Sequence, residues 1–139
     1  MTACPSTEYK TPKCASTCSE AGYNNVTYAK DKHFAKSSYS LRSVADMQQD
    51  LLQYGSLTVS MTVYEDFENY VGGVYQHTIP SQSLGGHSIK ILGWGVDGTT
   101  PYWLVANSWN VYWGESGFFR ILRGSNECGI EGSAIGGLV

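Results

Sequence analysis

The chain has 139 residues, of which 42% are hydrophobic and 13% aromatic, and its formal net charge is −3. This composition can bury the core of one domain and excludes an intrinsically disordered chain. The charges form no basic blocks, so neither nucleic acid nor a membrane is predicted as a partner. No run approaches the roughly 18 apolar residues of a membrane-spanning helix, and the first ten residues lack the apolar core of a signal peptide, so no targeting signal is predicted in this chain.

The four cysteines are unevenly distributed. Cys4, Cys14 and Cys18 lie in a stretch rich in Pro, Ser, Thr and Lys, which is typical of an irregular surface loop, whereas Cys128 stands alone. Disulfide bonds would explain the first three and would imply an oxidising compartment. A zinc site is the alternative, in which Cys14 and Cys18 recruit Cys4 and His33. The second half of a zinc-finger pattern is missing, so no metal site is predicted.

One amphipathic helix and a series of strands are predicted after this loop. Ser43 and Asp46 form a capping pattern, apolar residues recur at helical spacing as far as Tyr54, and Gly55 marks the end of the helix. From Leu57 the apolar pattern is typical of short strands, in the segments LTVSMTVY, GGVYQH, HSIKILGWGV, PYWLVANSW, GFFRILRG and SAIGGLV. Such regularly spaced strands predict a closed or sandwiched antiparallel sheet, and hence an α+β, mainly β fold.

His87 is the first candidate functional residue, because two glycines precede it and an apolar strand begins at it. The glycines let another backbone approach closely. Taken alone, a core histidine bonded to a backbone carbonyl is the simpler interpretation. Asn107 ends the next apolar segment, and a buried amide there needs a partner such as an imidazole N–H. A histidine oriented by a polar group and covered by an aromatic ring, here Trp109, is how a general base is held for a thiol or hydroxyl nucleophile.

Several motifs resemble one family. GGHSIKILGWG, PYWLVANSWNVYWGESGFFRILRG and CGIEGSA resemble the C-terminal half of papain-like cysteine peptidases, and TPKCASTC with YAKDKHF is similar to the cathepsin B-like group. The resemblance implies a thiol protease without a cofactor that acts on peptides or proteins. It also implies a cysteine-rich irregular segment and crossover over residues 1–36, and the antiparallel, barrel-like right domain over residues 37–139. The helical left domain of the family has no counterpart in this chain.

The same resemblance implies the roles of individual residues. His87 is implied to pair with the catalytic thiol, Asn107 to orient its ring, and Trp109 to shield their hydrogen bond and line the cleft. The S2 pocket, which receives the second substrate residue (P2) before the cleaved bond, is implied to be lined by Gly86, Ser88, Ser60 and Ser133. In cathepsin B the position matching Ser133 is acidic and accepts a basic P2 side chain. A neutral hydroxyl there predicts an apolar P2 preference.

The nucleophile of the family is not found in this sequence. Papain-like enzymes carry it in a C-G-[SA]-C-[WY] motif roughly 130–150 residues before the histidine. No such motif occurs among the residues of this chain, and Cys128 is predicted to be a buried structural thiol because its surroundings lack the activating helix N-terminus. The resemblance further implies that Cys4, Cys14 and Cys18 pair with upstream cysteines, in a lysosomal, vacuolar or extracellular protein.

Two functions therefore stay open. The first is the His- and Asn-bearing portion of a cysteine endopeptidase, whose partner is a left domain or light chain that supplies the nucleophile. The second is a catalytically inactive truncated paralogue that binds at most a peptide or a partner protein.

Overall fold

The computed structural model describes residue 13 and residues 26–138 of the chain. The chain divides into two compact units after Phe34. The first unit contains a one-turn helix, α1, at Tyr28–Asp31. None of the helices within residues 26–138 is both long and apolar enough to cross a bilayer. The domain boundary expected between residues 36 and 37 stays a prediction.

Part of the cysteine prediction falls outside the described residues. Cys4, Cys14 and Cys18, the three cysteines expected to form disulfides, all lie there. Of the alternative zinc ligands only His33 is described, and its side chain is exposed. Neither pairing is therefore addressed by the structure.

The second unit is built on one seven-stranded sheet with a helix, α2, at Val44–Gln53. The strand order is β1-β7-β2-β4-β5-β6-β3, and every neighbouring pair is antiparallel except β3 and β6. Short 3-10 helices follow β2 and β6, at Glu65–Asn69 and Glu127–Gly129. The strands are β1 Ser37–Ser40, β2 Leu57–Tyr64, β3 Val74–Tyr75, β4 Ser83–Asp97, β5 Thr100–Ala106, β6 Phe118–Leu122 and β7 Ile135–Leu138.

The predicted mainly β fold is confirmed, and the expectation of a closed sheet is wrong. The sheet is open, with the short strands β1 and β3 at its two edges. The predicted start of β4 at His87 is also wrong, because the ladder with β2 continues back to Ser83, which pairs with Tyr64. Strand β1 was missed because its sequence SSYS has no apolar alternation.

Helix α2 begins and ends as its sequence predicts. The Ser43 hydroxyl accepts a hydrogen bond from the Asp46 N–H at 3.0 Å, which satisfies one of the unpaired donors of the first turn. Gly55 adopts φ +99° just after the helix, a conformation that favours glycine. The helix buries Met47 completely in the core.

A buried carboxylate joins this helix to β1 and β7. Asp50 is buried and accepts a hydrogen bond from the Tyr39 hydroxyl at 2.7 Å, and this bond raises the pKa of Tyr39 to about 12. Both side chains crowd Gly136 of β7, where an added Cβ would lie 2.6 Å from the Tyr39 ring and 2.7 Å from the Asp50 carboxylate. Glycine is therefore required at this position, because a larger residue would separate the three elements.

One face of the sheet carries the core. Alternate residues of each central strand are buried, as the period of two along a strand requires. They include Val59 and Met61 of β2, Ile89 and Ile91 of β4, Trp103 and Val105 of β5, and Phe119 and Ile121 of β6.

A β-bulge interrupts the pairing of β4 with β5. Ile91 pairs with Val105 and Gly93 pairs with Leu104, so Leu92 is left without an opposite residue. A single extra residue exchanges the faces on which the following side chains lie. The strand can thus bury Ile91 before the bulge and pack Trp94 against the same core after it.

The bulge also decides the face on which Asn107 lies. The C-terminal end of β4 pairs with β5 in the register that joins Gly93 to Leu104. If this register continued without the bulge, Asn107 would come opposite Lys90, on the solvent face. With the bulge, the register continued by one residue beyond the last pair, Lys90 with Ala106, brings it opposite Ile89, on the face that also carries His87. The register of this strand pair therefore decides whether the two candidate catalytic residues can meet.

We expect deletion of Leu92 to destabilise the protein by about 3 kcal/mol, because large apolar side chains on one side of the bulge would have to leave the core. Urea unfolding of the chain measures this change. The matched control is Leu92→Ala, which keeps the extra residue and removes only a partly exposed side chain, so we expect a loss of less than about 1 kcal/mol. Equal stability of the two variants would contradict the role given to the bulge.

Candidate active site

His87 and Asn107 are brought together by neighbouring strands. His87 lies within β4, and Asn107 directly follows the last residue of β5. Their side chains are diagonal neighbours on one face, a separation that long polar groups can bridge. The Nε2 atom of His87 lies 2.9 Å from Oδ1 of Asn107. The histidine–asparagine contact expected from the sequence is therefore present.

The backbone of Ser108 fixes the direction of this hydrogen bond. Its N–H donates to the same Oδ1 atom of Asn107 at 2.8 Å. Because a backbone amide can only donate, the shared atom must be the amide oxygen, and His87 must donate from Nε2. In the neutral ring the hydrogen therefore resides on Nε2, and Nδ1 is left as the acceptor. Sequence reasoning missed Ser108 because its contribution comes from the backbone.

The other end of the Asn107 amide is unsatisfied. Its Nδ2 atom is buried and has no hydrogen-bond partner within the part of the chain that the structure describes. An unpaired buried donor costs about 1–3 kcal/mol, and native proteins contain few of them. The Asn107 side chain thus accepts two hydrogen bonds at Oδ1, and its Nδ2 can still donate to an acceptor outside the described residues.

Trp109 packs beside the histidine ring. The two ring centroids are 5.6 Å apart with an interplanar angle of 30°, and the indole remains 37% exposed. Phe67 and Trp113 contact Trp109 at centroid distances of 5.5 and 4.8 Å. Phe67 is completely buried, so the indole beside the candidate site rests on the protein core. Nothing in the local sequence around Trp109 indicated Phe67, which comes from the 3-10 helix after β2.

Three of the four predicted pocket residues lie on the outer face of the sheet, and the fourth, Ser133, precedes β7 and bonds to the backbone of one of them. Ser60 of β2 pairs directly with Ser88 of β4, and Gly86 lies on the same face as Ser88. The Ser133 hydroxyl accepts a hydrogen bond from the Ser60 N–H at 3.0 Å. All four residues are exposed, and a Cβ added at Gly86 would lie more than 4 Å from any atom of residues 26–138 outside its own chain neighbours.

Two cavities adjoin Asn107. One has a volume of about 360 Å³ and contains Ser88 and Lys90, and the other has a volume of about 290 Å³ and contains Trp109. Ser133 lines a separate cavity of about 490 Å³, so it is joined to the other pocket residues by its hydrogen bond with Ser60 and not by a shared cavity.

Cys128 is a buried free thiol, as predicted. It lies in the 3-10 helix Glu127–Gly129, and burial together with the neighbouring Glu127 carboxylate raises the pKa of its thiol. Because the thiolate is the reactive form of cysteine, a thiol in this environment is a poor nucleophile.

The comparisons with known proteins agree with this geometry. The model of the papain family cysteine protease matches residues 3–138. The chain is 53% identical over 136 residues to the cathepsin B-like cysteine proteinase 4 of Caenorhabditis elegans and 54% identical over 137 residues to the cathepsin B-like cysteine proteinase 5 of the same organism. These matches cover 97% and 98% of the chain, which spans only 40% of the length of either relative.

A solved structure shows the same fold. The proCathepsin B S9 of Trypanosoma congolense matches with a TM-score of 0.79 and 36% sequence identity, over 94% of this chain and 43% of that one. Sequence, fold and the His87–Asn107 geometry therefore lead to one conclusion: the chain belongs to the papain family of cysteine proteases.

Proposed function

We propose that the chain is the part of a cysteine-type peptidase that supplies the catalytic histidine and asparagine, His87 and Asn107. The observation that carries this proposal is the 2.9 Å bond between His87 Nε2 and Asn107 Oδ1 beside Trp109. The nucleophilic cysteine comes from sequence outside the present residues, in a left domain or light chain. The substrates are peptides or proteins.

The tautomer of His87 determines which atom performs the chemistry. Because Nε2 is engaged with Asn107, Nδ1 accepts the proton of the thiol, and the resulting thiolate attacks the carbonyl carbon of the peptide. The imidazolium returns this proton to the departing amine as the C–N bond breaks. Water then hydrolyses the thioester and regenerates the thiol. Asn107 keeps Nδ1 facing the thiol throughout these steps.

Trp109 supports this role by excluding water from one side of the hydrogen bond. A hydrogen bond in a less polar environment is stronger than one in water, so the indole helps to hold the ring orientation. The unpaired Nδ2 of Asn107 is consistent with a site completed by further protein, because an acceptor there would remove the cost of burying this donor.

Ser60, Gly86, Ser88 and Ser133 form the proposed S2 pocket. They are small and neutral, and no atom of the described part of the chain lies within 4 Å of a Cβ added at Gly86, which leaves room for substrate. A hydroxyl at Ser133 cannot offset the charge of a guanidinium, so the pocket favours an apolar P2 side chain. By family, the protein acts in lysosomes, vacuoles or outside the cell, with Cys4, Cys14 and Cys18 in disulfides to upstream cysteines.

The inactive paralogue is the alternative. It would keep the pocket and the His87–Asn107 bond, and it would bind peptides without cleaving them. Adding the protein portion that carries the nucleophilic cysteine distinguishes the two functions. The peptidase portion then hydrolyses a peptide, and the inactive paralogue does not.

We expect peptide hydrolysis when the chain is refolded with the N-terminal portion of a cathepsin B-like relative that carries the nucleophile. His87→Ala should lower kcat/KM by at least about 10²-fold, because it removes the general base. The matched control is His33→Ala, an exposed histidine in the first unit, which should have no effect. The chain by itself should neither cleave peptides nor react with a thiol-directed epoxide. No hydrolysis by the refolded complex, or labelling of Cys128 in the chain alone, would contradict the proposal.

We expect the neutral His87 ring to carry its hydrogen on Nε2. Nitrogen-15 NMR of the imidazole in the intact chain distinguishes the two tautomers directly. Asn107→Ala should allow both tautomers to be populated, because the acceptor of the Nε2 hydrogen is lost. Asn69→Ala, which alters an exposed amide elsewhere, should leave the spectrum of His87 unchanged. A predominant Nδ1–H form in the unmodified chain would contradict the orientation proposed for Asn107.

We expect the refolded peptidase to cleave substrates with Leu or Phe at P2 faster than substrates with Arg. Ser133→Glu should raise kcat/KM for the Arg substrate about fivefold relative to Leu, as expected for a partly exposed ion pair of about 1 kcal/mol. Ser133→Ala is the neutral control and should keep the original order of substrates. A preference for Arg in the unmodified protein would show that Ser133 does not form the floor of the pocket.

A further inference from the structure

A second group of reactive side chains lies apart from His87 and Asn107. His77 follows β3, and Glu127 and Cys128 belong to the 3-10 helix between β6 and β7. Within the described ranges, their ligand-type atoms all lie within 4.8 Å of one another. The Nδ1 atom of His77 lies 2.6 Å from Oε1 of Glu127, and the Sγ atom of Cys128 lies 3.3 Å from the same oxygen.

We propose that His77, Glu127 and Cys128 form a binding site for one divalent cation of the zinc type. Imidazole, carboxylate and thiolate are the ligands that zinc takes, and three protein ligands leave the fourth tetrahedral position for water. Magnesium and calcium prefer sites made only of oxygen atoms, so the thiol selects against them.

The spacing of the three atoms suits this geometry. Zinc bonds of about 2.0–2.3 Å place tetrahedral ligand atoms roughly 3.3–3.6 Å apart. The Sγ–Oε1 distance already has this value, and Nδ1 has to move away from Oε1 by less than about 1 Å. Nδ1 and Sγ lie within 4.8 Å of each other, so the third pair closes by at most about 1.5 Å.

The positions of the ligands are fixed by contacts other than those among the three side chains. The His77 ring stacks on Tyr64 with a centroid distance of 4.4 Å and an interplanar angle of 15°. Cys128 is held in the core of the domain, with only 8% of its surface exposed, by a left-handed backbone conformation of φ 52°. The site therefore does not depend on the metal for its assembly, and its histidine side remains partly open to solvent.

The local charge favours a cation. Glu127 is directly in contact with the thiol, and Asp66 lies behind it, where its carboxylate accepts a hydrogen bond from the Tyr75 hydroxyl at 2.9 Å. Burial raises the pKa of the Cys128 thiol, and these two carboxylates add to the rise. The same negative potential that disfavours a thiolate attracts a dication, which then compensates the thiolate charge.

Binding is balanced by the release of one proton. The thiol of Cys128 loses its hydrogen to solvent when sulfur binds the cation. In the unliganded site Nδ1 of His77 donates its hydrogen to Glu127, because a carboxylate oxygen only accepts. When Nδ1 binds the cation, the ring gives this hydrogen to solvent and takes one up at Nε2, so its proton count does not change, and the Glu127 carboxylate binds as it is. Affinity should therefore increase with pH.

Cobalt(II) is the probe that tests the site, since its thiolate bond gives a near-ultraviolet charge-transfer band. The measurement uses the reduced full chain in which Cys4, Cys14 and Cys18 are changed to serine, so that the alternative zinc ligands are absent. We expect one equivalent of cobalt to bind with this band and to be displaced by zinc. Cys128→Ser should abolish the band, and His77→Gln should weaken binding by about 10-fold or more.

A second measurement guards against misfolding of the variants. Zinc should raise the thermal unfolding midpoint of the triple-serine background more than that of the His77→Gln variant at the same zinc concentration, while far-ultraviolet circular dichroism reports whether both fold. Absence of cobalt binding by a folded background, or a band that persists after Cys128→Ser, would overturn the proposal. Neither measurement uses peptidase activity, so the result is separate from that of the proposed function.

Discussion

The pairing of β4 with β5 is the constraint on which both the core and the candidate site depend. Leu92 shifts the register by one residue, and this shift places Ile91 and Trp94 against one core although they lie on either side of the bulge. The same shift places Asn107 on the face of His87. Without the bulge, this strand pair could bury its apolar side chains on the core face at only one of its two ends. The side chains of His87 and Asn107 would then lie on opposite faces of the sheet. The packing of the core and the geometry of the candidate site thus both depend on a single backbone irregularity.

The candidate site is rigid because it rests on the core. Phe67 is buried beneath the sheet and contacts both Trp109 and Trp113, and Trp109 in turn packs beside His87. The Trp113 indole N–H donates to the Glu68 carbonyl at 3.0 Å, which fixes this ring as well. A histidine on a strand, beside an indole that packs on a core residue, has little conformational freedom, and such preorganisation is what the general base role proposed for His87 requires.

The sequence predicted most elements and the central contact, because these depend on local patterns. The capping pair at Ser43 and the alternation in each of the six predicted segments were sufficient for α2 and for strands β2 to β7. The contact of His87 with Asn107 followed from the need of a buried amide for a partner, and the family resemblance supplied their roles.

What the sequence could not predict are the features that depend on distant pairing. The apolar periodicity of a single strand does not indicate which strand it pairs with. It therefore could not predict the parallel pairing of β3 with β6 or the open edges of the sheet. The cluster joins His77 to Glu127, which lies 50 positions later, and neither residue has a metal-binding motif around it. The role of Ser108 comes from a main-chain amide, which every residue except proline possesses.

The position of β7 has a consequence for how the domain is made. This strand is the last in sequence, yet it lies between β1 and β2 in the sheet. During vectorial synthesis on the ribosome, β1 emerges first and has no neighbour until β7 has left the exit tunnel. Strands β2 to β6 can pair in the nascent polypeptide. The pairing of β7 with β1 and β2 can form only after translation has passed Leu138. Until then one edge of β2 has unpaired backbone groups that could pair with another chain.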